Sequence, residues 1–174
     1  MKVSLRFSLR PFIKKVLERF SLCLAQIAPN SWRYIVGFVC LYGLIDVRPT
    51  MDLFRSCFVL KRHPNDEGWW YFSPQSQRKI VLGVPSSIHR WKGWYFFVTS
   101  EEPWGVEVEW RTPRTDLNSP IGLGQEEVKN IVHLLECPCS ASELLEEEAL
   151  VNAGLNPMEP GGNFLWTFSM AFSR

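Results

Sequence analysis

Apolar residues recur at helical spacing through the first third of the chain, with charged residues on the opposite side. This pattern predicts a first helix over residues 11–24, which opens on a proline, a residue favoured at helix starts. It predicts a second helix from Ser31 to about Ile45, with Asn30 as its N-cap. A third helix is predicted from the cap Thr50 to about Leu60. The second helix is apolar on most faces, so we expect it to be buried at the centre.

The period changes from helical to alternating after the turn-rich stretch His63–Gly68. Four segments beyond it are rich in aromatic and β-branched residues, which favour strands. The predicted strands are residues 69–73, 79–84, 93–99 and 105–110. We expect them to form a small antiparallel sheet.

The helical period returns near the C-terminal end, after a stretch rich in proline, glycine and asparagine. Residues 125–135 form an acidic amphipathic pattern that predicts a helix. A capping box from Ser140 to Glu143 predicts the start of a last helix, which runs to about Ala153. Gly154 is placed to end that helix.

These patterns together predict an α+β fold with helices first, a small antiparallel sheet in the middle and acidic helices last. We predict a core of helices and sheet over residues 1–111 and a linker over 112–124. A helical pair over 125–158 is expected to pack on or beside that core, and residues 159–174 form a tail.

Composition places the chain among globular proteins, because 46% of its residues are apolar and 21% are charged. Net charge is only +1, but residues 1–20 are basic and residues 125–150 are acidic. The longest apolar run, Tyr34–Ile45, is too short to cross a bilayer, which needs about 20 residues. The N-terminal segment lacks the apolar core of a signal peptide. We therefore expect an intracellular protein of the cytoplasm or nucleus that does not bind membranes.

Six of the eight tryptophans lie between residues 69 and 110, interleaved with basic residues. Aromatic rings dominate the energetics of both cores and contacts, so two interpretations remain open. In the first interpretation, the rings are buried in the core. In the other, some face outward and, with nearby cations, contact a partner or stack on nucleobases. The aromatic candidates for core or contact are Trp69, Trp70, Trp91 and Trp94. The basic candidates for a nucleic-acid or partner contact are Arg78, Lys79, Arg90 and Lys92.

No catalytic, cofactor-binding or metal-binding residues are predicted. The four aspartates are scattered over helix ends, turns and the linker, unlike the clustered carboxylates of two-metal phosphoryl transfer. No group of three cysteines and one histidine has zinc-knuckle spacing. The Gly-x-Gly at residues 122–124 lacks the third glycine of a dinucleotide site, and no nucleophile elbow surrounds Ser86 or Ser87. We therefore expect a protein that is not an enzyme and uses no cofactor.

Four segments resemble a single family when they are taken in order. They are LAQIAPNSWRYIVGFVCLYG (24–43), the RPTMDLF to YFSP block (48–74), VPSSIHRWKGWYFFVTSEEPW (84–104) and SELLEEEALVNAGLNP (142–157). Together they are similar to the gypsy-type transposon domain of transposon-derived plant proteins, over about residues 8–158. The resemblance implies a retrotransposon-derived protein and brings no catalytic residues. Because the family continues into long charged regions, it also implies a truncated element.

Two functional hypotheses follow from the residues and the resemblance. The first is a non-catalytic, gag-like interaction or assembly domain that contacts a further copy of itself or another protein. The alternative is a degenerate transposase or nuclease remnant, or a weak nucleic-acid-binding module. Near-neutral net charge and an acidic C-terminal third oppose phosphate binding, so any nucleic-acid affinity is expected to be weak and sensitive to salt.

Overall fold

A computed structural model of the protein describes residues 9–64, 67–85 and 105–155. Its helices and antiparallel hairpin confirm the predicted α+β class. The helices are α1 Pro11–Phe20, α2 Pro29–Leu44, α3 Met51–Cys57, α4 Gln125–Glu136, α5 Ala141–Leu144 and α6 Glu147–Asn152, with 3₁₀ turns at Leu24–Gln26 and Thr115–Asn118. The strands are β1 Phe58–Arg62, β2 Trp70–Pro74, β3 Val81–Leu82 and β4 Cys139–Ser140.

Helix α2 is the central buried helix, as its apolar sequence predicts. It begins earlier than predicted, because Pro29 occupies its first turn and Ala28 is the N-cap. A proline suits this position, since its missing N–H would have no partner in the first turn. The predicted cap, Asn30, lies inside the helix, and its side-chain amide donates to the Pro85 carbonyl at 2.6 Å.

Helix α3 ends three residues earlier than predicted, and the chain passes directly into β1. Phe58 already has extended backbone angles, which suit its aromatic side chain and the β-branched Val59 that follows. Strand β1 pairs antiparallel with β2, from Phe58 opposite Pro74 to Arg62 opposite Trp70. The prediction of helix up to Leu60 was wrong because this long-range pairing prevails over a locally helical pattern.

Side chains and a loop bond to the outer edges of this two-stranded sheet. Along β1, Leu60 donates its N–H to the Asn118 side-chain oxygen, and the Asn118 amide donates to the Leu60 carbonyl, both at 2.8 Å. Along β2, Phe72 donates its N–H to the Ser31 hydroxyl and Ala28 donates to the Trp70 carbonyl. The stretch predicted to be a linker therefore contains a 3₁₀ turn that binds β1.

The rest of the predicted antiparallel sheet differs from the observed one. Strand β3 is only two residues long and pairs in parallel with β4, which the sequence did not predict. Residues 105–110 were predicted as a strand and form none. The prediction for 93–99 lies outside the described residues.

The C-terminal segments pack on the same core as the N-terminal helices. Helix α4 has the predicted start, and it buries Ile131 and Leu134. The predicted last helix opens at the Ser140 capping box, as expected, but is split into α5 and α6 because Glu146 has extended backbone angles. Gly154 follows α6 with φ near +60°, as its predicted role in ending the helix requires.

The Phe54 ring lies at the centre of the core and is fully buried. It contacts five other phenylalanine rings with centroid distances from 5.0 to 6.4 Å, mostly edge to face. These rings are Phe12 and Phe20 of α1, Phe38 of α2, Phe58 of β1 and Phe72 of β2. Edge-to-face pairs add to the stabilisation from buried area alone. The cluster therefore joins three helices to the sheet.

We expect Phe54→Ala to lower the free energy of unfolding by roughly 3–5 kcal/mol, because it removes a ring shared by four elements and leaves a cavity. Denaturant unfolding monitored by circular dichroism measures the loss. Phe54→Leu is the matched control and should cost distinctly less. A loss for Phe54→Ala below about 1 kcal/mol would contradict the central position of this ring.

Candidate functional site

The predicted basic patch is not assembled by the residues that the structure describes. Arg78 is half-buried, and its guanidinium donates to the Ser56 carbonyl at 3.2 Å, so it stabilises the end of α3. Lys79 is exposed. Arg90 and Lys92 lie outside the described residues. Their role as a nucleic-acid or partner contact stays a prediction.

Two of the four predicted tryptophans can be placed. Trp70 is half-buried in β2 and packs against the core. Trp69 is also half-buried, and the Trp110 ring meets it edge to face, with 5.4 Å between centroids and planes 82° apart. Trp91 and Trp94 lie outside the described residues. Trp70 therefore lies at the edge of the core, and Trp69 lies beside the half-exposed Trp110 ring.

Trp110 is half-exposed, at 52%, and sequence reasoning did not single it out. Val108, two residues earlier, is 57% exposed. The chain bends at Glu109, between these two exposed residues. We call Val108 and Trp110, with Trp69 behind them, the tryptophan surface. The alternation of Val106, Val108 and Trp110 is the available signal, and in the sequence it predicts a strand.

A buried glutamine holds the tryptophan surface in place. Gln26 is 1% exposed, and its side-chain amide donates to the Arg111 carbonyl at 2.8 Å while its oxygen accepts the Arg111 N–H at 3.2 Å. The same oxygen accepts the Cys23 N–H at 3.0 Å. The amide group thus replaces a neighbouring strand. The end of the segment is therefore tied to the 3₁₀ turn at Leu24–Gln26.

The Trp110 ring also requires a glycine beside it. Gly68 has a φ of +84°, and a Cβ at this position would overlap the Trp110 ring. Any side chain there would both clash with the indole and strain the backbone. The position of Trp110 is therefore fixed from two sides, by Gln26 and by Gly68.

Helix α1 lies alongside the same segment and contributes positive charge. A Cβ on Gly105 would lie 2.8 Å from the Lys14 ammonium nitrogen, so this cation rests directly against the segment. Lys15 and Arg19 are exposed on the same helix, which carries Glu18 as its single acid. The segment therefore has Lys14 at its start, while its own Glu107 and Glu109 flank Val108.

A second exposed apolar surface lies on α4. Val128 and Val132 are 45% and 47% exposed, beside the face that buries Ile131 and Leu134. Residues four apart share a helix face, so Glu136 continues the same stripe. We call Val128, Val132 and Glu136 the α4 surface. The amphipathic pattern of this helix predicted the buried residues but gave no reason to single out valines on the outside.

The described ranges are residues 9–64, 67–85 and 105–155. Within these ranges no three histidine, cysteine or acidic side chains come together as metal ligands. None of the helices there has the length and apolar character needed to span a membrane.

The cysteines differ strongly in environment. Cys23, Cys40 and Cys57 are buried, whereas Cys137 is exposed. Burial raises the pKa of both Cys40 and Cys57 to about 11. Because the thiolate is the reactive form, these two thiols are poor nucleophiles at neutral pH.

Comparison with known proteins supports the resemblance in the first part of the chain. Residues 1–62 match a family model described as "Putative gypsy type transposon". The match confirms that resemblance and ends at the last residue of β1; the similar segments at 84–104 and 142–157 lie beyond it. No curated protein and no solved structure matches the chain.

We expect Gln26→Met to speed hydrogen exchange at the Arg111 amide and to cost roughly 1–3 kcal/mol of stability. Methionine keeps the volume but leaves buried polar groups unpaired. Exchange measured by mass spectrometry reports the amide, and thermal unfolding reports the stability. Gln125→Met, at an exposed position, is the control. Unchanged protection at Arg111 would show that the glutamine does not hold this segment.

We also expect thiol reagents at pH 8 to modify Cys137 first in the folded protein. Cys40 and Cys57 should react only after unfolding, because their raised pKa and their burial both suppress the thiolate. Peptide mapping after timed labelling identifies the modified residues. Labelling of Cys57 in the folded protein would contradict its burial and its raised pKa.

Proposed function

We propose that the chain is a non-catalytic, retroelement-derived interaction domain whose copies associate with one another. The link to retroelements is supported by the family match over residues 1–62. The observation that carries the assembly role is the half-exposed Trp110 ring, packed on Trp69. The non-catalytic role rests on the sequence, which offers no recognisable nucleophile, metal cage or phosphate loop.

An exposed tryptophan held in this way is suited to a protein contact. Tryptophan is enriched among the residues that carry most of the binding energy at interfaces. Binding normally costs side-chain entropy, and that cost is smaller for a ring that is already fixed. Trp110 is fixed by its contacts with Trp69 and Gly68 and by the hydrogen bonds of Gln26 to the next residue.

The described residues favour a protein partner over nucleic acid. Lys61 and Arg62 are exposed on β1, which ends near Trp69, and such cations beside rings are typical of single-strand binding. Arg62, however, pairs with Glu67 at 3.0 Å, and the C-terminal helices are strongly acidic. Nearby carboxylates weaken attraction to phosphate.

Light scattering during size exclusion tests the proposal. We expect the mass of the parent protein to rise with concentration, and Trp110→Ser to remain a monomer at concentrations about tenfold higher, equivalent to about 1.4 kcal/mol. Leu44→Ser is the matched control, because Leu44 is 57% exposed at the end of α2 and away from the tryptophan surface. A parent that stays monomeric throughout, or a Trp110→Ser variant that associates like the parent, would refute the proposal.

A further inference from the structure

We propose that Cys137 and Cys139 form a redox-active dithiol, a modification site that reacts with small-molecule disulfides and closes into an internal disulfide bond. The two cysteines are separated by one proline in the stretch that leads from α4 into β4. The other three cysteines of the chain are buried. The site goes beyond the proposed function, because its chemistry does not depend on association between copies.

The first support is the position of the two thiol groups. The Cys139 side chain turns back along the chain, and its Sγ lies 3.8 Å from the Cys137 carbonyl oxygen. Two residues of fully extended chain span at most about 7 Å, which is already close to the largest Cα separation that a disulfide bridges. The chain also bends at Cys137, which shortens that span. The backbone therefore brings the two thiols within reach of each other.

The second support is the difference in environment between the two thiols. Cys137 is exposed, so it meets a dissolved disulfide first, whereas Cys139 is half-buried. Burial raises the pKa of the Cys139 thiol, and the negative charges of Glu143 and Cys137 raise that pKa further. When the Cys137 sulfur enters a mixed disulfide, it no longer carries a charge. One cause of the raised pKa is then removed, so Cys139 ionises more readily for the second step.

The reaction consists of two thiol–disulfide exchanges. In the first, the Cys137 thiolate attacks one sulfur of the external disulfide, the bond between the two external sulfurs breaks, and one external thiolate leaves and takes up a proton. In the second, the Cys139 thiolate attacks the Cys137 sulfur and releases the other external thiolate. Two protein thiols are thereby oxidised to one disulfide, and one external disulfide is reduced to two thiols.

The closed form is expected to be easily reduced. A disulfide across a single residue departs from relaxed disulfide geometry, and such strained bonds have more oxidising potentials. The dithiol is therefore the stable form when external thiol predominates, and the internal disulfide forms only when external disulfide is in large excess. A reversible response of this kind distinguishes the pair from a structural disulfide.

Oxidised glutathione tests the proposal on the folded full chain. In excess oxidised glutathione the protein should lose two of its five thiols, retain no glutathione and become lighter by two hydrogen atoms. Peptide mapping should place the bond between Cys137 and Cys139, and dithiothreitol should restore all five thiols. Cys139→Ser should instead accumulate glutathione on Cys137, because the second exchange has no thiolate. Cys40→Ala is the control and should lose two thiols like the parent.

Three results would overturn the proposal. The parent could keep all five thiols, it could retain glutathione on Cys137, or it could form disulfide bonds between copies in place of the internal bond. A Cys139→Ser variant without glutathione on Cys137 would refute the order of the two steps. Circular dichroism before oxidation checks that each variant is folded, and Cys139→Ala replaces Cys139→Ser if that variant unfolds.

Discussion

The packing of five phenylalanine rings around Phe54 is the interaction on which the rest of the structure depends. Rings from α1, α2, β1 and β2 meet there, and no one of these elements buries its apolar side without the others. The match to the transposon family ends at residue 62, before β2 adds Phe72 to this cluster. The matched part therefore lacks one ring of its own core and one strand of its hairpin, both of which the following residues provide.

Side-chain amides and hydroxyls complete hydrogen bonding that a larger sheet would provide. Asn118 bonds both backbone groups of Leu60, and Gln26 bonds both backbone groups of Arg111. Ser31 accepts the Phe72 N–H in the same manner. A buried backbone group without a partner is costly, so these side chains allow a chain with little strand to keep extended segments near its core. The tryptophan surface immediately precedes Arg111, whose backbone Gln26 binds.

Local patterns predicted most elements, and long-range contacts explain the differences. The helical period placed α2 and α4 correctly, and the capping box at Ser140 was recognised from four residues. The end of α3 depends on pairing with β2, which a local pattern does not contain. The alternating apolar residues predict a strand that includes Trp110, but a local pattern contains neither the bend at Glu109 nor the hydrogen bonds between Gln26 and Arg111. Exposure of Val128 and Val132 likewise depends on what packs against α4 and not on its own sequence.

Side chains of the same molecule bond to both edges of the β1–β2 hairpin, and these bonds oppose irreversible aggregation. An open edge invites a strand from another molecule, and growth of that kind leads to fibrils. Here Leu60 on one edge and Phe72 on the other already bond to side chains of the same chain. A neighbouring molecule would first have to displace them. The hydrogen bonds that the chain already makes at these two positions therefore oppose pairing of the hairpin edges between molecules.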